Sequence, residues 1–202
     1  MDKIFKVNKK LSYSLIIITV VGMISGMIFT FVLKETDYNK VTESLNMFID
    51  NVMNDSLNYS LSLRSNLITN IISVFVVWGL GISFIGMPII ILIYFIKVFS
   101  VGFTISAIMH NFGLRGLIYS FVYIFPHNIL NLFIFGFLTL YSVIYSFRLS
   151  SSFFKKESID FKPIMNKHKY VLLIVILGVI ITSLYSSYIM PYILKIVLKF
   201  LK

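Results

Sequence analysis

The chain has 202 residues, of which 58% are hydrophobic and only 13% charged, and its formal net charge is +10. Long apolar runs with so few charges are typical of polytopic membrane proteins and exclude a soluble domain of any size. The cations stand in short segments between the apolar runs, which excludes a nucleic-acid binder and favours the anionic headgroups of membrane lipids as partners. The chain has no cysteine, which excludes disulfides and thiolate chemistry.

The apolar runs predict an all-α, polytopic integral membrane protein that forms a single membrane domain over residues 1–202, with about five transmembrane helices. The first run is longer than the apolar part of a signal peptide and is followed by no small-residue cleavage site, so we expect an uncleaved span. The predicted spans are residues 11–33, 67–85, 88–109, 117–147 and 170–190, with an outer loop at 34–66, an inner basic loop at 148–169 and a tail at 191–202.

The fourth apolar run, from Leu117 to Phe147, is too long for one straight span. As a single helix it would measure about 46 Å, against a hydrocarbon core of about 30 Å. Pro126 lacks a backbone donor and clashes with the preceding helical turn. The sequence therefore predicts a break near Pro126, with residues 117–125 as a half-helix or re-entrant piece.

The distribution of basic residues predicts the orientation. The N-terminal segment and the 148–169 loop together hold ten Lys and Arg, whereas the 34–66 loop holds three. The positive-inside rule then places the N-terminus in the cytoplasm, the 34–66 loop outside and, with five spans, the C-terminus outside. Lys195, Lys199 and Lys202 share one helical face, so we expect an amphipathic tail helix whose lysines reach the headgroups.

The outer loop contains apolar residues at helical spacing, which predicts an extracytoplasmic amphipathic helix. One interpretation is a helix that lies on the membrane or against the other spans. The other is a docking face for an extracytoplasmic partner, centred on Leu45, Phe48 and Val52.

The sequence predicts no catalytic, cofactor-binding or metal-binding residues. All eight acidic residues lie outside the predicted spans, which leaves no intramembrane carboxylate for a proton relay or a cation site. His110, His127 and His168 fall in different segments without ligand spacing. Gly22 and Gly26 have the spacing of a small-residue contact between helices. We therefore expect a protein that is not an enzyme.

Two polar features lie inside the predicted spans. Lys97 is an intramembrane cation near the bilayer centre, and backbone carbonyls freed by the expected break at Pro126 are candidate partners for it. The second feature is the cluster of His127, Asn128 and Asn131, which follows Pro126 directly. These side chains either repair the hydrogen bonding at a kink or line a transport pathway, and we favour the structural interpretation.

Three stretches of this chain resemble the stage II sporulation protein M family. The stretch "FGLRGLIYSFVYIFPHNILNLFIFG", Phe112 to Gly136, is similar to that family's signature, a glycine-flanked turn that leads into a P-H/Q-N or P-H-G element. The hairpin upstream of it and the tail "SYIMPYIL" also resemble the family. The residues that carry the likeness are Gly113, Gly116, Pro126, His127, Asn128, Asn131, Tyr188 and Pro191.

The chain departs from the wider family at two places. Many members have a glutamate after the P-H-G element and another before the final proline, where this chain has Asn131 and Ser186 or Ser187. The departure argues against an ion-linked activity and fits the sporulation branch better.

The resemblance implies a non-enzymatic scaffold in the mother-cell membrane at the sporulation septum. Such a protein holds two peptidoglycan-degrading enzymes, an amidase and a lytic transglycosylase, in place for engulfment of the forespore. The alternative is a permease-like subunit of a transporter for a small solute or lipid. The sequence is compatible with a homo-oligomer and does not specify one.

Overall fold

A computed structural model describes residues 9–83, 85–155 and 161–200, with every side chain in these ranges except those of residues 114, 122–126, 153–155 and 161. All the regular elements in these ranges are helices. They are α1 (Lys9–Val32), α2 (Glu35–Met53), α3 (Tyr59–Gly81), α4 (Gly86–Lys155), α5 (Phe161–Leu184) and α6 (Met190–Phe200), with a π-helical turn at Tyr185–Ile189 between the last two.

The all-α membrane fold with five spans is confirmed. Five stretches of the described chain are long and apolar enough to cross a membrane: Lys9–Val32, Tyr59–Gly81, Gly86–Gly113, His127–Ser152 and Lys162–Phe200. Large apolar side chains on their outer surfaces are exposed, among them Ile17 at 62% and Phe31 at 72%. Such side chains suit a surface that faces lipid rather than water.

The predicted break near Pro126 is absent, and the chain reverses at Gly113, between the predicted spans 88–109 and 117–147. Gly113 has a φ of 59° and a ψ of −140°, a conformation that side chains other than glycine rarely adopt. It divides α4 into α4a, residues 86–112, and α4b, residues 114–155. The backbone is helical through Pro126, and residues 117–125 continue α4b without a separate re-entrant piece. A proline is tolerated in a membrane helix because groups on neighbouring helices can satisfy the backbone carbonyl that its missing N–H leaves free.

The two halves of α4 form an antiparallel hairpin. Ser120 Oγ donates to the carbonyl of Ile105 at 3.3 Å, while further along the Lys97 ammonium lies 3.8 Å from the centroid of the Phe135 ring. Near the turn, a Cβ on Gly116 would lie 2.9 Å from Met109 Cα, so the two backbones meet where they reverse.

Helix α1 packs in parallel against α4a through glycines on both helices. A Cβ on Gly26 would lie 2.8 Å from the backbone N of Phe103, and one on Gly102 would lie 2.8 Å from the carbonyl carbon of Met23. Gly22 approaches Val98 in the same seam. The predicted small-residue contact at Gly22 and Gly26 is therefore present, and it allows the closest helix approach in this part of the bundle.

Four helices enclose the main core. Buried apolar side chains from α3, α4a, α4b and α5 form it: Val74, Val77, Ile90, Tyr94, Val98, Phe135, Leu138, Val143, Val171, Val175 and Val179. A second cluster lies at the end of the bundle where α1 leads into α2. It contains Val52, Val101, Ile108, Tyr119, Met190, Leu194 and Leu198.

We call this end of the bundle the α2 end. Helix α6 is amphipathic as predicted, but its apolar side packs into the second cluster rather than facing only lipid. Lys195 of α6 forms an ion pair with Asp55, directly after α2. Helices α2 and α6 therefore hold one another at the same end of the bundle.

The seam between α1 and α4a gives a prediction about stability. Replacing Gly26 by alanine places a methyl group against the α4a backbone, so we expect a loss of about 1–3 kcal/mol in the free energy of unfolding. Gly79→Ala is the matched control, since a Cβ there has no atom within 4 Å. The control is expected to be neutral or to gain up to about 1 kcal/mol. Thermal unfolding in detergent measures both variants, and equal stability of the two would refute the close seam.

Candidate functional site

Polar side chains recur at helical spacing on faces of otherwise apolar helices. Lys97, Ser100 and Thr104 follow one another at i, i+3 and i+7 on α4a. On α3, Asn66 and Asn70 are spaced i and i+4. This spacing puts each set on one side of its helix.

The structure brings these faces together around one cleft of about 350 Å³. We call it the polar cleft. Its polar lining residues come from α3 (Asn66, Thr69, Asn70), α4a (Lys97, Ser100, Thr104), α4b (His127, Asn128, Asn131), α5 (Thr182, Ser183) and the π-helical turn (Ser186). The two intramembrane features that the sequence left separate therefore form a single site.

Hydrogen bonds between helices support the walls of the cleft. Asn131 Nδ2 donates to Asn70 Oδ1 at 3.3 Å and so links α4b to α3. Asn66 Nδ2 donates to Ser187 Oγ at 3.3 Å and links α3 to the π-helical turn. Such bonds between spans are worth about 0.6 kcal/mol each on average. They support the predicted stapling role for Asn131, but they use only part of the polar lining.

Lys97 lies midway along α4a and is half-buried. Its ammonium group contacts the face of Phe135 and not, as expected, backbone carbonyls freed at Pro126. A cation at this depth costs about 2.5–3.5 kcal/mol on insertion scales. A cation–π contact returns about 0.5–2 kcal/mol, so the aromatic ring offsets only part of this cost.

A second cavity adjoins the polar cleft on the side of the α2 end. It has a volume of about 390 Å³, and we call it the vestibule. It shares Asn66, Thr104, His127, Asn128 and Ser186 with the cleft and adds residues near the α2 end: Phe48, Leu57, Tyr59, Ser62, Ser187, Met190 and Pro191. Polar groups thus extend from the α2 end towards Lys97.

The π-helical turn at Tyr185–Ile189 lies against both cavities. Its Ser186 lines each of them, and its Tyr188 stacks on Tyr59 with ring centroids 5.9 Å apart. Short π-helical turns are frequent at functional sites because they widen a helix locally and redirect its side chains.

The residues proposed for partner docking pack at least partly against the bundle. Val52 is only 3% exposed, and Leu45 and Phe48 are partly buried against the same cluster. Phe48 also lines the vestibule. This placement corrects the docking hypothesis for Val52, while Leu45 and Phe48 use part of their surface to fix α2 to the bundle. Of the two interpretations given for the amphipathic helix, packing against the other spans accounts for its apolar face.

The residues that carry the family likeness lie in different parts of the bundle. Gly113 and Gly116 make the α4 hairpin, and His127, Asn128 and Asn131 line the polar cleft. Pro191 is buried beside the vestibule, whereas Tyr188 is 47% exposed. The side chain of Pro126 lies outside the described part of the chain.

His168 occupies a second polar position, at the end of the bundle opposite α2. It stacks between Trp78 and Tyr145, with centroid distances of 5.2 and 4.7 Å. Its Nε2 lies 3.1 Å from the carbonyl oxygen of Trp78, and the Trp78 indole N–H donates to the carbonyl of His168 at 3.1 Å. These contacts join α3 to α5. Among the described residues, no group of three His, Asp or Glu side chains could hold a metal ion.

Comparison with protein-family models finds stage II sporulation protein M, matched over residues 15–191. The chain belongs to the stage II sporulation protein M family. The match includes every lining residue of the polar cleft. No curated protein and no solved structure matches the chain. Membership in the stage II sporulation protein M family makes this a sporulation-related membrane protein, and that family is not a known enzyme family.

Sequence reasoning missed half of the cleft in this family member. Asn66 ends the predicted outer loop and Asn70 lies inside the predicted span 67–85, but α3 begins earlier, at Tyr59, so both residues are on one helix. The stripe that continues from Lys97 to Ser100 and Thr104 was also available in the sequence. The contribution of Ser183 depends on how α5 is rotated in the bundle, for which its sequence has no comparable signal.

The polar lining predicts access for water. A single cysteine at Asn128, which lines both cavities, is expected to react with a small charged methanethiosulfonate reagent in the purified protein. A cysteine at Leu138, which is 0% exposed in the main core, is expected to stay unmodified. The chain has no native cysteine to interfere. Mass spectrometry measures the labelling, and protection of the Asn128 position would show that water does not reach the cleft.

Proposed function

We propose that the chain is a non-enzymatic membrane scaffold that localises peptidoglycan-degrading enzymes, an amidase and a lytic transglycosylase, at the septum for forespore engulfment. The observation that carries the proposal is the mounting of α2. Its apolar side is fixed in the second cluster, and its opposite side is exposed. Membership in a sporulation family supports this use of the helix.

The proposed orientation places the N-terminus in the cytoplasm of the mother cell and the α2 end outside the membrane. The excess of Lys and Arg in the N-terminal segment and the 148–169 loop supports it. A basic α6 on the outer side runs against the positive-inside rule, and the ion pair of Lys195 with Asp55 offsets one of its charges. In this orientation α2 faces the compartment where cell-wall enzymes act.

The docking surface that we propose is the exposed side of α2, centred on Glu43, Met47 and Asp50. These residues follow one another at i, i+4 and i+7, and Met47 is 56% exposed. The surface combines an apolar contact with two carboxylates. Its partners would present a basic rim around an apolar pocket.

The alternative function, a permease-like subunit for a small solute or lipid, is favoured by the polar cleft. A scaffold needs no polar cavity that reaches Lys97, whereas a transport pathway does. Affinity capture from sporulating membranes separates the two functions. Recovery of the hydrolases supports the scaffold, and recovery of an ATPase without them supports the permease.

Reversing charge on the proposed surface tests the scaffold directly. We expect Glu43→Arg with Asp50→Arg to leave the protein in the membrane and to release the hydrolases from the septum, because both side chains point away from the bundle. Fluorescence microscopy of tagged hydrolases in sporulating cells measures the effect.

The matched control is Glu35→Arg with Asp37→Arg, which makes the same charge change at the first turn of α2. The control is expected to keep the hydrolases at the septum. Normal localisation in the Glu43 and Asp50 variant, with normal protein levels, would contradict the proposed surface.

A further inference from the structure

The polar cleft has a positive charge without a nearby carboxylate. The sequence contains no Asp or Glu between Asp55 and Glu157, a stretch that includes α3 and nearly all of α4. Helix α5, the π-helical turn and α6 contain none either. None of the residues that line the cleft can therefore neutralise Lys97, and the site favours an anion.

The cleft also presents hydrogen-bonding groups that the described residues do not satisfy. Ser183 is only 2% exposed, and its hydroxyl has no hydrogen-bond partner in the described part of the chain. Asn131 Oδ1 likewise has no hydrogen-bond partner in the described part of the chain, although the amide nitrogen of that side chain donates to Asn70. Buried polar groups are nearly always hydrogen-bonded in native proteins. These two atoms are therefore suited to a ligand.

The three groups differ in what they offer. The Lys97 ammonium supplies charge and donors, the Ser183 hydroxyl can donate or accept, and Asn131 Oδ1 only accepts. They come from α4a, α5 and α4b, so they surround the cleft from three sides. A tetrahedral anion can direct oxygens towards several walls at once, whereas a planar carboxylate directs only two. Because Asn131 Oδ1 can only accept a hydrogen bond, a ligand that bonds to it must also carry a donor such as a hydroxyl group.

Two routes lead to the cleft. The vestibule borders it on the side of the α2 end and shares five lining residues with it. On the side of α4a, Ile96 lines the cleft and is 53% exposed on the surface that faces lipid. A volume of about 350 Å³ lies within the range of small-molecule sites.

We propose that the polar cleft binds a phosphoryl group that carries a hydroxylated substituent, of the glycerol phosphate type. Lys97 and the Ser183 hydroxyl hold the phosphoryl oxygens, and Asn131 Oδ1 accepts from a hydroxyl of the substituent. The group arrives either as the headgroup of a membrane lipid, past Ile96, or as a water-soluble phosphate ester, through the vestibule.

Ligand-dependent thermal stability of the full chain in dodecyl maltoside tests the proposal, because a ligand that binds only the folded state raises Tm. Three probes are compared: dioleoylphosphatidylglycerol, glycerol phosphate and dioleoylglycerol, which has the same acyl chains without the phosphoryl group. A rise in Tm with phosphatidylglycerol alone identifies the lipid source, and a rise with glycerol phosphate identifies the soluble source. A response to dioleoylglycerol equal to that of phosphatidylglycerol would overturn the proposal, as would no response to either phosphate.

Variants assign the response to the cleft. Lys97→Gln removes one charge-assisted hydrogen bond and is expected to weaken binding about tenfold or more. Lys199→Gln makes the same charge change at an exposed position on α6 and is expected to bind like the parent chain. Equal affinity of the Lys97 variant and the parent would overturn the proposal.

A second variant keeps the test decisive if Lys97→Gln does not fold. Ser183→Ala removes a hydroxyl that bonds to no described residue, so its Tm without ligand is expected to match that of the parent. Its affinity is expected to fall several-fold, the effect of one lost hydrogen bond to a charged group. Unchanged affinity in a folded Ser183 variant would contradict the assignment.

Discussion

The hairpin at Gly113 brings together α4a and α4b, the two halves of α4, and the rest of the bundle depends on it. Because the chain reverses there, Lys97 on the first half faces Phe135 on the second, and Asn131 reaches Asn70 on α3. The turn requires a positive φ, which a β-branched or bulky side chain could adopt only with strain. One backbone conformation therefore fixes the register of the polar cleft and the position of α4b against α3 and α5.

Packing in different parts of the bundle has different causes. Helix α1 approaches α4a closely because Gly26 and Gly102 present bare backbone to one another. At the α2 end, α2 and α6 are held by buried apolar side chains and by the pair of Lys195 and Asp55. In the polar cleft, hydrogen bonds from Asn131 to Asn70 and from Asn66 to Ser187 link the helices. One small protein therefore contains both a helix, α2, that is packed onto the bundle and a polar cavity next to it.

Much of this architecture follows from local features of the sequence. Apolar length predicts the spans, and the glycine spacing at Gly22 and Gly26 predicts the α1 contact. The reversal at Gly113 falls between the predicted spans 88–109 and 117–147, so it follows from the sequence as well. The break expected near Pro126 is absent, because neighbouring helices in a bundle can satisfy the backbone groups that a proline frees. The sequence indicates only part of the cleft, since Lys97 and Asn131 are distant in sequence and are brought to one site only by the hairpin. The apolar side of α2 has the same pattern whether it packs internally or binds a partner.

The central claim is that polar residues from separate spans surround one cleft. Intramolecular cross-linking between cysteines placed at Asn70 and Asn131, with a short bismethanethiosulfonate reagent in native membranes, tests it most directly. The structure predicts efficient linking, because the two native side chains are hydrogen-bonded at 3.3 Å. A pair at Asn131 and Ser14, on the exposed side of α1, should not link. Failure of the first pair, or equal linking of both, would contradict the assembly of the cleft.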